Sequence, residues 1–460
     1  VTQRPPPLRS EKYPRGESGR RPDGGQTAPP PRFPTPRLRL FLWLYKAAWI
    51  LGLPLILLYL RRRARRDPAY GAHLPERFGR YADPLPGSVW VHAVSLGELR
   101  SAVPLIRALL DRGETVVTTH FTPAGRREAE KAFAAEIEAG RLRPVWIPFE
   151  YDRTLTRFLR DFTPKYGLVM EIEIWPQMIL TCRRRGVPLF MCNAQYPSKS
   201  YARDTTRTRW RAELMRGFAG ALVKSDLQKE RFASVGVAPI AVTGELRFDQ
   251  PIPKAQLVAG AHARRWLARD RVLTIASAVE GEDATYIDAI QRLQGPDAPL
   301  VVYVPRKPER FAEVGEMLRA AGLRVDTRSE MFDAHLAPQG GTPRIDVLLG
   351  DSLGEMYFYL ALCDRALVGG GFTPHGAHNV IEPLALKKPV IVGPEIWTIE
   401  YPAREAIAAG VCTHVQTVEE LAGALRAGPE TTPQRIDAFF AAHAGAVPRT
   451  LAAIEDLTSR

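Results

Sequence analysis

From residue 88 onward the chain alternates short β-branched runs, a glycine or proline turn, and a stretch with helical spacing, and it runs through that cycle in two series separated by a break. In the first series 88–94, 115–119, 145–148, 166–174 and 187–192 read as strands, with 98–110, 152–161 and 176–185 as the helices between them. Strands that alternate with helices pair in parallel, with helices on both faces of the sheet. After Thr243 the pattern lapses through Gly244, Glu245 and Leu246 and the Pro251/Pro253 stretch, which reads as a linker. Strands then resume at 272–276, 300–304, 346–349, 366–369 and 389–392, and 309–321 is the clearest helix among them. The expected fold class is α/β, with two Rossmann-like domains and a cleft between their C-terminal strand ends, where open sheets bind ligands. An apolar content of 45% in 460 residues is enough to fill two cores. The expected domains are residues 62–244 and 245–432, with a final helix over 433–457 that returns across the cleft.

The charge lies outside these series. Residues 1–66 hold fifteen Lys or Arg against three acids, and the remainder 48 against 47, so 12 of the net +13 belong to the N-terminal stretch. A nucleic-acid binder spreads its cations over a folded face, whereas here they flank one apolar segment, and nucleic acid is not an expected partner. That segment, 40–60, reads LFLWLYKAAWILGLPLILLYL. As a helix it reaches about 30 Å, the thickness of bilayer hydrocarbon. Trp43, Tyr45 and Trp49 towards one end and RRRARR beyond the other suit an anchor over 38–61 in contact with membrane phospholipid; an amphipathic helix lying in the interface is the alternative. Residues 1–37, rich in Pro, Gly and Arg, are expected to be disordered. Cys182, Cys192, Cys363 and Cys412 form no CxxC pair, so neither a cysteine zinc site nor a disulfide framework is expected, and the globular part reads as cytosolic.

Chemistry concentrates at a few turns. Residues 369–383 read GGGFTPHGAHNVIEP after an apolar strand. The glycines let backbone approach a ligand, their N–H groups and a helix opened by Asn379 suit an anion, and Glu382 lies in that helix's first turn; a plain glycine-rich connection is the alternative for the glycines. His375 and His378 have metal-like spacing but no evident third ligand, and no metal or cofactor is expected. Ser95-Leu96-Gly97-Glu98 sits where the first strand meets its helix, so Glu98 is either a general base facing the cleft or an acid favoured at a helix start. Glu171 and Glu173, two apart in EIEIWPQ, are expected on one face of a strand. Ser277 follows a strand of the second series. Arg306 and Lys307 precede a helix, ready for a phosphate or carboxylate, or else form a solvated cluster.

Taken together, DPAYGAHLPERFGRY, VHAVSLGELRSAVPLI, FTPAGRRE, EIEIWPQ, TGELRFD, PRKPERF, GDSLGEMYFYLALCD and GGGFTPHGAHNVIEP resemble the 3-deoxy-D-manno-octulosonic acid (Kdo) transferases of lipopolysaccharide assembly, in the expected order from about Arg39 to Cys412. The resemblance implies a GT-B glycosyltransferase, inverting and metal-independent, that moves Kdo from CMP-Kdo to the lipid A precursor. It implies a Gram-negative inner-membrane protein with its catalytic domains on the cytoplasmic side. It also implies Glu98 as the base and Arg306, Asn379 and Glu382 as donor contacts. Lys307, Ser277, Gly370 and His378 match nearby donor positions, and Ser95, Gly97, Glu171 and Glu173 fall on the acceptor side or in the cleft.

Gln177, Gln195, Lys307 and the pair Ala278-Val279 depart from the residues usual in that family. The basic stretch around Arg77 and Arg80 is the candidate lipid-recognising surface. A heptosyltransferase, a sugar-nucleotide epimerase, or a tethered nucleotide-sugar binding protein without catalysis are the competing readings.

Overall fold

The computed structural model describes residues 33–459 except Pro296 and Pro429, so the expectation of disorder over 1–37 lies outside it up to residue 32 and is corrected at 33–37, where Thr35 is bonded to Glu213 and a helix opens at Pro36. The first sheet contains β1 (Val89–His92), β2 (Val116–His120), β3 (Leu142–Trp146), β4 (Gly167–Met170), β5 (Leu189–Ala194), β6 (Gly220–Val223) and β7 (Ile240–Val242). Its order is β3-β2-β1-β4-β5-β6-β7, parallel throughout. The second contains β8 (Val272–Ala278), β9 (Leu300–Pro305), β10 (Val325–Thr327), β11 (Val347–Leu349), β12 (Arg365–Val368), β13 (Val390–Val392) and β14 (Cys412–His414). It repeats the topology as β10-β11-β9-β8-β12-β13-β14, again parallel.

Both sheets are doubly wound, and strand order reverses beside β1 in one and β8 in the other. That reversal opens a crevice at the strand C-termini, where connections leave to opposite faces. Helix-covered parallel strands bury both faces, which is why β1, β4, β9 and β12 are buried at every residue. The edge strands β7, β10 and β14 have three residues each, too few to show a period of two in the sequence.

The C-terminal segment is two helices rather than the single one expected. Gly445, at φ +82°, separates Pro433–His443 from Ala446–Thr458. Ile436 and Phe439 pack in the second domain, whereas Ala446, Val447, Leu451 and Ile454 join the core of the first. Asp249 in the linker caps the second of these helices by accepting from the N–H of Gly445 and Val447, both at 2.6 Å.

Helix α1 (Pro36–Ala64) is capped by Thr35, whose Oγ1 accepts from Leu38 N–H, and it is long and apolar enough to cross a membrane. Contacts with the first domain nevertheless run along its length. Thr35 donates twice to Glu213, Leu38 and Leu42 are buried in that domain's core, and Phe41 stacks on Trp210 at 4.2 Å. Tyr151 donates to the Trp49 carbonyl at 2.7 Å, and Arg63 donates to Tyr70 at 2.9 Å. Leu40, Leu44, Ile50, Leu51, Leu55 and Leu58 stay exposed, so α1 has one docked face and one bare apolar face.

Candidate active site

A cleft of about 880 Å³ separates the two rows of strand ends. Ser95, in extended conformation, caps helix α2 (Leu96–Asp111), and its Oγ accepts from Glu98 N–H at 3.4 Å. The Glu98 carboxylate returns the interaction, accepting from Val94 N–H at 2.6 Å and from the Ser95 hydroxyl at 3.1 Å. Its helix-start role and its place in the cleft therefore coexist: Glu98 is half-buried and lines the cleft, while Ser95 orients it from outside. Burial first, and the Glu173 carboxylate second, push the Glu98 carboxyl up to about 7, against the Val94 N–H that favours ionisation. A carboxyl in that range exchanges a proton readily at neutral pH.

Glu171 and Glu173 are not on a strand. β4 ends at Met170, and Glu171 adopts φ +57°, a left-handed turn that takes the chain out of the sheet into an acid loop over 171–175. Both acids line the cleft. Glu171 lies 3.6 Å from Lys224 Nζ and 3.9 Å from Arg247 Nη2, and Glu173 accepts from the Trp175 indole N–H at 2.8 Å. Burial raises the Glu173 carboxyl, with Trp175 and Arg211 opposing.

Across the gap, Arg306 follows β9 and its Nη1 lies 2.9 and 2.7 Å from the two ring nitrogens of His378. Burial, then Arg306 and Arg247, bring His378 down to about 4, so the ring is neutral at physiological pH. Asn379 accepts from Ile381 N–H at 2.9 Å, opening the short helix Ile381–Ala385 that carries Glu382. Burial raises the Glu382 carboxyl, with Arg247 opposing. Gly97, Ser277, Arg306, His378, Asn379 and Glu382 all line the same cleft as Glu98 and the acid loop.

Three expectations are corrected here. Gly370 does not offer its N–H to a ligand: Glu282, fully buried, accepts from Gly370 N–H at 2.7 Å and Phe372 N–H at 2.9 Å, an internal carboxylate filling the anion-binding turn. The glycines are needed for packing instead, since a Cβ on Gly370 would lie 2.3 Å from the Gly376 carbonyl and one on Gly369 2.5 Å from the Ser277 carbonyl. Lys307 is exposed and does not line the cleft that its neighbour Arg306 lines. Of the candidate lipid-recognising pair, Arg77 is 1% exposed, its guanidinium 4.3 Å from the Trp146 ring, and so does not face lipid, whereas Arg80 is exposed.

Arg247 was not singled out in the sequence because it lies in the linker. A linker between facing domains forms the floor of their cleft, and Arg247 thereby stands within the field of Glu245, Glu171, Glu382 and Glu98. Lys224, at the end of β6, bridges buried Glu245 at 2.6 Å, and Asn193 donates to the same carboxylate at 2.9 Å. Among the departures, Gln195 donates to the Thr398 carbonyl across the domain gap at 2.8 Å, whereas Gln177 is fully buried beneath the cleft. The gap is further tied by Ser198 and Arg231, which both donate to Glu400.

A family profile described as 3-deoxy-D-manno-octulosonic-acid transferase (kdotransferase) matches residues 72–250. The chain is 42% identical over 418 residues to the 3-deoxy-D-manno-octulosonic acid transferase of Bordetella pertussis, spanning 88% of this chain and 96% of that one. It is 30% identical over 364 residues to the enzyme of the same description from Haemophilus influenzae, spanning 77% and 82%. Among solved structures, the Anabaena protein HepE in complex with UDP matches with a TM-score of 0.57 over 81% of this chain and 100% of that one. At 13% identity that likeness shows the common GT-B architecture of two facing Rossmann-like domains and nothing of the ligand.

Proposed function

The chain belongs to the 3-deoxy-D-manno-octulosonic acid transferase family, and on that premise we propose that it transfers Kdo from CMP-Kdo to a hydroxyl of the lipid A precursor in one inverting displacement. Glu98 takes the proton of the acceptor hydroxyl. The oxygen forms its bond to the anomeric carbon of Kdo as the bond from that carbon to the CMP phosphate breaks, and CMP leaves with the electron pair. Arg306 and Arg247 stabilise the negative charge that grows on the departing phosphate. Asn379 and Glu382 orient the nucleotide, and Glu171 and Glu173 border the acceptor side.

The observation that carries this reading is the division of one cleft, with a half-buried carboxyl at about 7 on the first domain and guanidinium groups on the second domain and linker. An inverting transfer needs a base and a leaving-group stabiliser on opposite sides of the sugar, and this arrangement supplies both. Guanidinium charge serves where a divalent cation otherwise would. The test is transfer from CMP-Kdo to a tetraacyl lipid A precursor, read by product mass spectrum with and without EDTA. A Kdo-bearing product at an undiminished rate under chelation is expected, whereas a chelation-sensitive rate overturns the metal-independent mechanism and absence of product overturns the acceptor.

We place α1 in the plane of the inner membrane on its cytoplasmic side, with its bare apolar face in the lipid. Contacts to one domain at both ends support this, since a spanning helix would put those ends on opposite sides. Cysteines introduced as Arg37→Cys and Arg62→Cys are expected to react with an impermeant thiol reagent from the cytoplasmic side alone; opposite sidedness of the two would show a spanning helix.

A further inference from the structure

Helix Pro176–Arg185 begins directly after the acid loop, and no side chain of its own N-terminal segment caps it. The cap comes from a distant residue. Glu150, 1% exposed, follows β3 and accepts from Gln177 N–H at 2.7 Å through Oε2 and from Met178 N–H at 2.9 Å through Oε1. Tyr45 of α1 donates to Oε2 as well, at 3.3 Å. One carboxylate thus joins the membrane-facing helix, the strand layer and the helix start that holds the acid loop.

From this geometry we infer that Glu150 is a positioning residue, which pins the loop 171–175 at the depth where Glu173 faces Glu98, and that docking of α1 completes the pin through Tyr45. The loop leaves the sheet at the left-handed Glu171 and re-enters regular structure at Pro176, the helix start that Glu150 holds, with Trp175 packed on His92 and Phe121 just before it. Pro176 offers no N–H, and the next two N–H groups go to Glu150. Without it those donors are buried and unpaired, and the helix start moves towards other partners, taking Trp175 and Glu173 with it.

Glu98 would register the movement. The groups facing Glu98 are Glu173 and Glu171 from the acid loop, Arg247 from the linker, and Ser95 with the Val94 N–H from its own turn. Those facing Glu150 are Tyr45 and Cys182, besides the two N–H groups. Retreat of the loop removes the carboxylates that raise Glu98, so its proton is lost at lower pH.

The test is Glu150→Gln in the full chain, which keeps size and fold but sets an amide NH₂ against one backbone N–H. Expected are a kcat lower by about tenfold, an unchanged KM for CMP-Kdo, an acid limb of the pH–rate profile displaced to lower pH, and faster amide exchange in residues 172–180. Tyr45→Phe, which leaves both backbone bonds intact, is expected to displace the limb in the same direction by less. A wild-type kcat and limb in Glu150→Gln overturn the inference, as does a fall in kcat that follows only the fraction of folded protein with the limb unmoved. The inference rests on Glu98 as base: transfer that survives Glu98→Gln sinks that reading, whereas an inert Glu150→Gln beside an inactive Glu98→Gln sinks only this one.

Discussion

Glu98→Gln is expected to lower the rate of Kdo transfer by about 10³-fold, within the range that a positioned general base contributes, while CMP binding by calorimetry stays at the wild-type level. The amide keeps the shape of the carboxyl and can still accept from Val94 N–H, so the cap of α2 survives. What it loses is the capacity to take a proton. The proposed donor contacts lie on the other domain and the linker, which separates the two readouts. If Glu98 is the base it must be ionised in the wild type, so kcat/KM is expected to rise with pH through about 7, the value to which burial and Glu173 push the Glu98 carboxyl. Transfer retained in the Glu98→Gln variant, or a wild-type profile flat across that range, contradicts the assignment.

The second large effect concerns stability. Lys224→Met is expected to destabilise the protein by about 3–5 kcal/mol, the cost of leaving a buried charge without its partner. Lys224 and Glu245 are 5% and 3% exposed in their side chains and 2.6 Å apart, and Glu171 depends on the same ammonium at 3.6 Å. Although burial opposes it, Lys224, followed by Arg247, holds the Glu245 carboxyl below its ordinary value. A lowered folded-state value means stability that is present above the ordinary carboxylate range and is lost as pH falls through the lowered value. The midpoint of urea unfolding should therefore fall with acidification in the wild type and be lower and less pH-dependent over that range in Lys224→Met. The double variant Lys224→Met/Glu245→Gln should recover part of the loss, because the stranded charge is gone. Equal midpoints for wild type and Lys224→Met would show that the bridge contributes no net stability.

Most parallel strands of both domains were legible because helix-covered strands are continuous apolar runs between turns, as at β1, β8, β9 and β12, whereas the interior β6, only four residues long, was not. The three-residue edge strands were not, since their pairing is set by a neighbour rather than by their own pattern. In the site, Glu98, Arg306, Asn379 and Glu382 could be picked out because each follows a strand or glycine turn at which chains in such sheets meet ligands. Arg247, Glu282 and Lys224 could not. Arg247 faces the cleft only because two domains close over the linker, and Glu282 reaches the turn at Gly370 from 88 residues away.

Local order dictated the doubled α/β series, the apolar helix and the residues at the strand ends, because hydrophobic period and turn chemistry act over a few neighbouring residues. Only tertiary packing decided that Glu171 turns out of its strand, that an internal carboxylate occupies the glycine turn, and that α1 lies against one domain at both ends. Those outcomes depend on which buried donors find acceptors and which charges find partners across the folded chain, and no window of adjacent residues contains both members of such a pair.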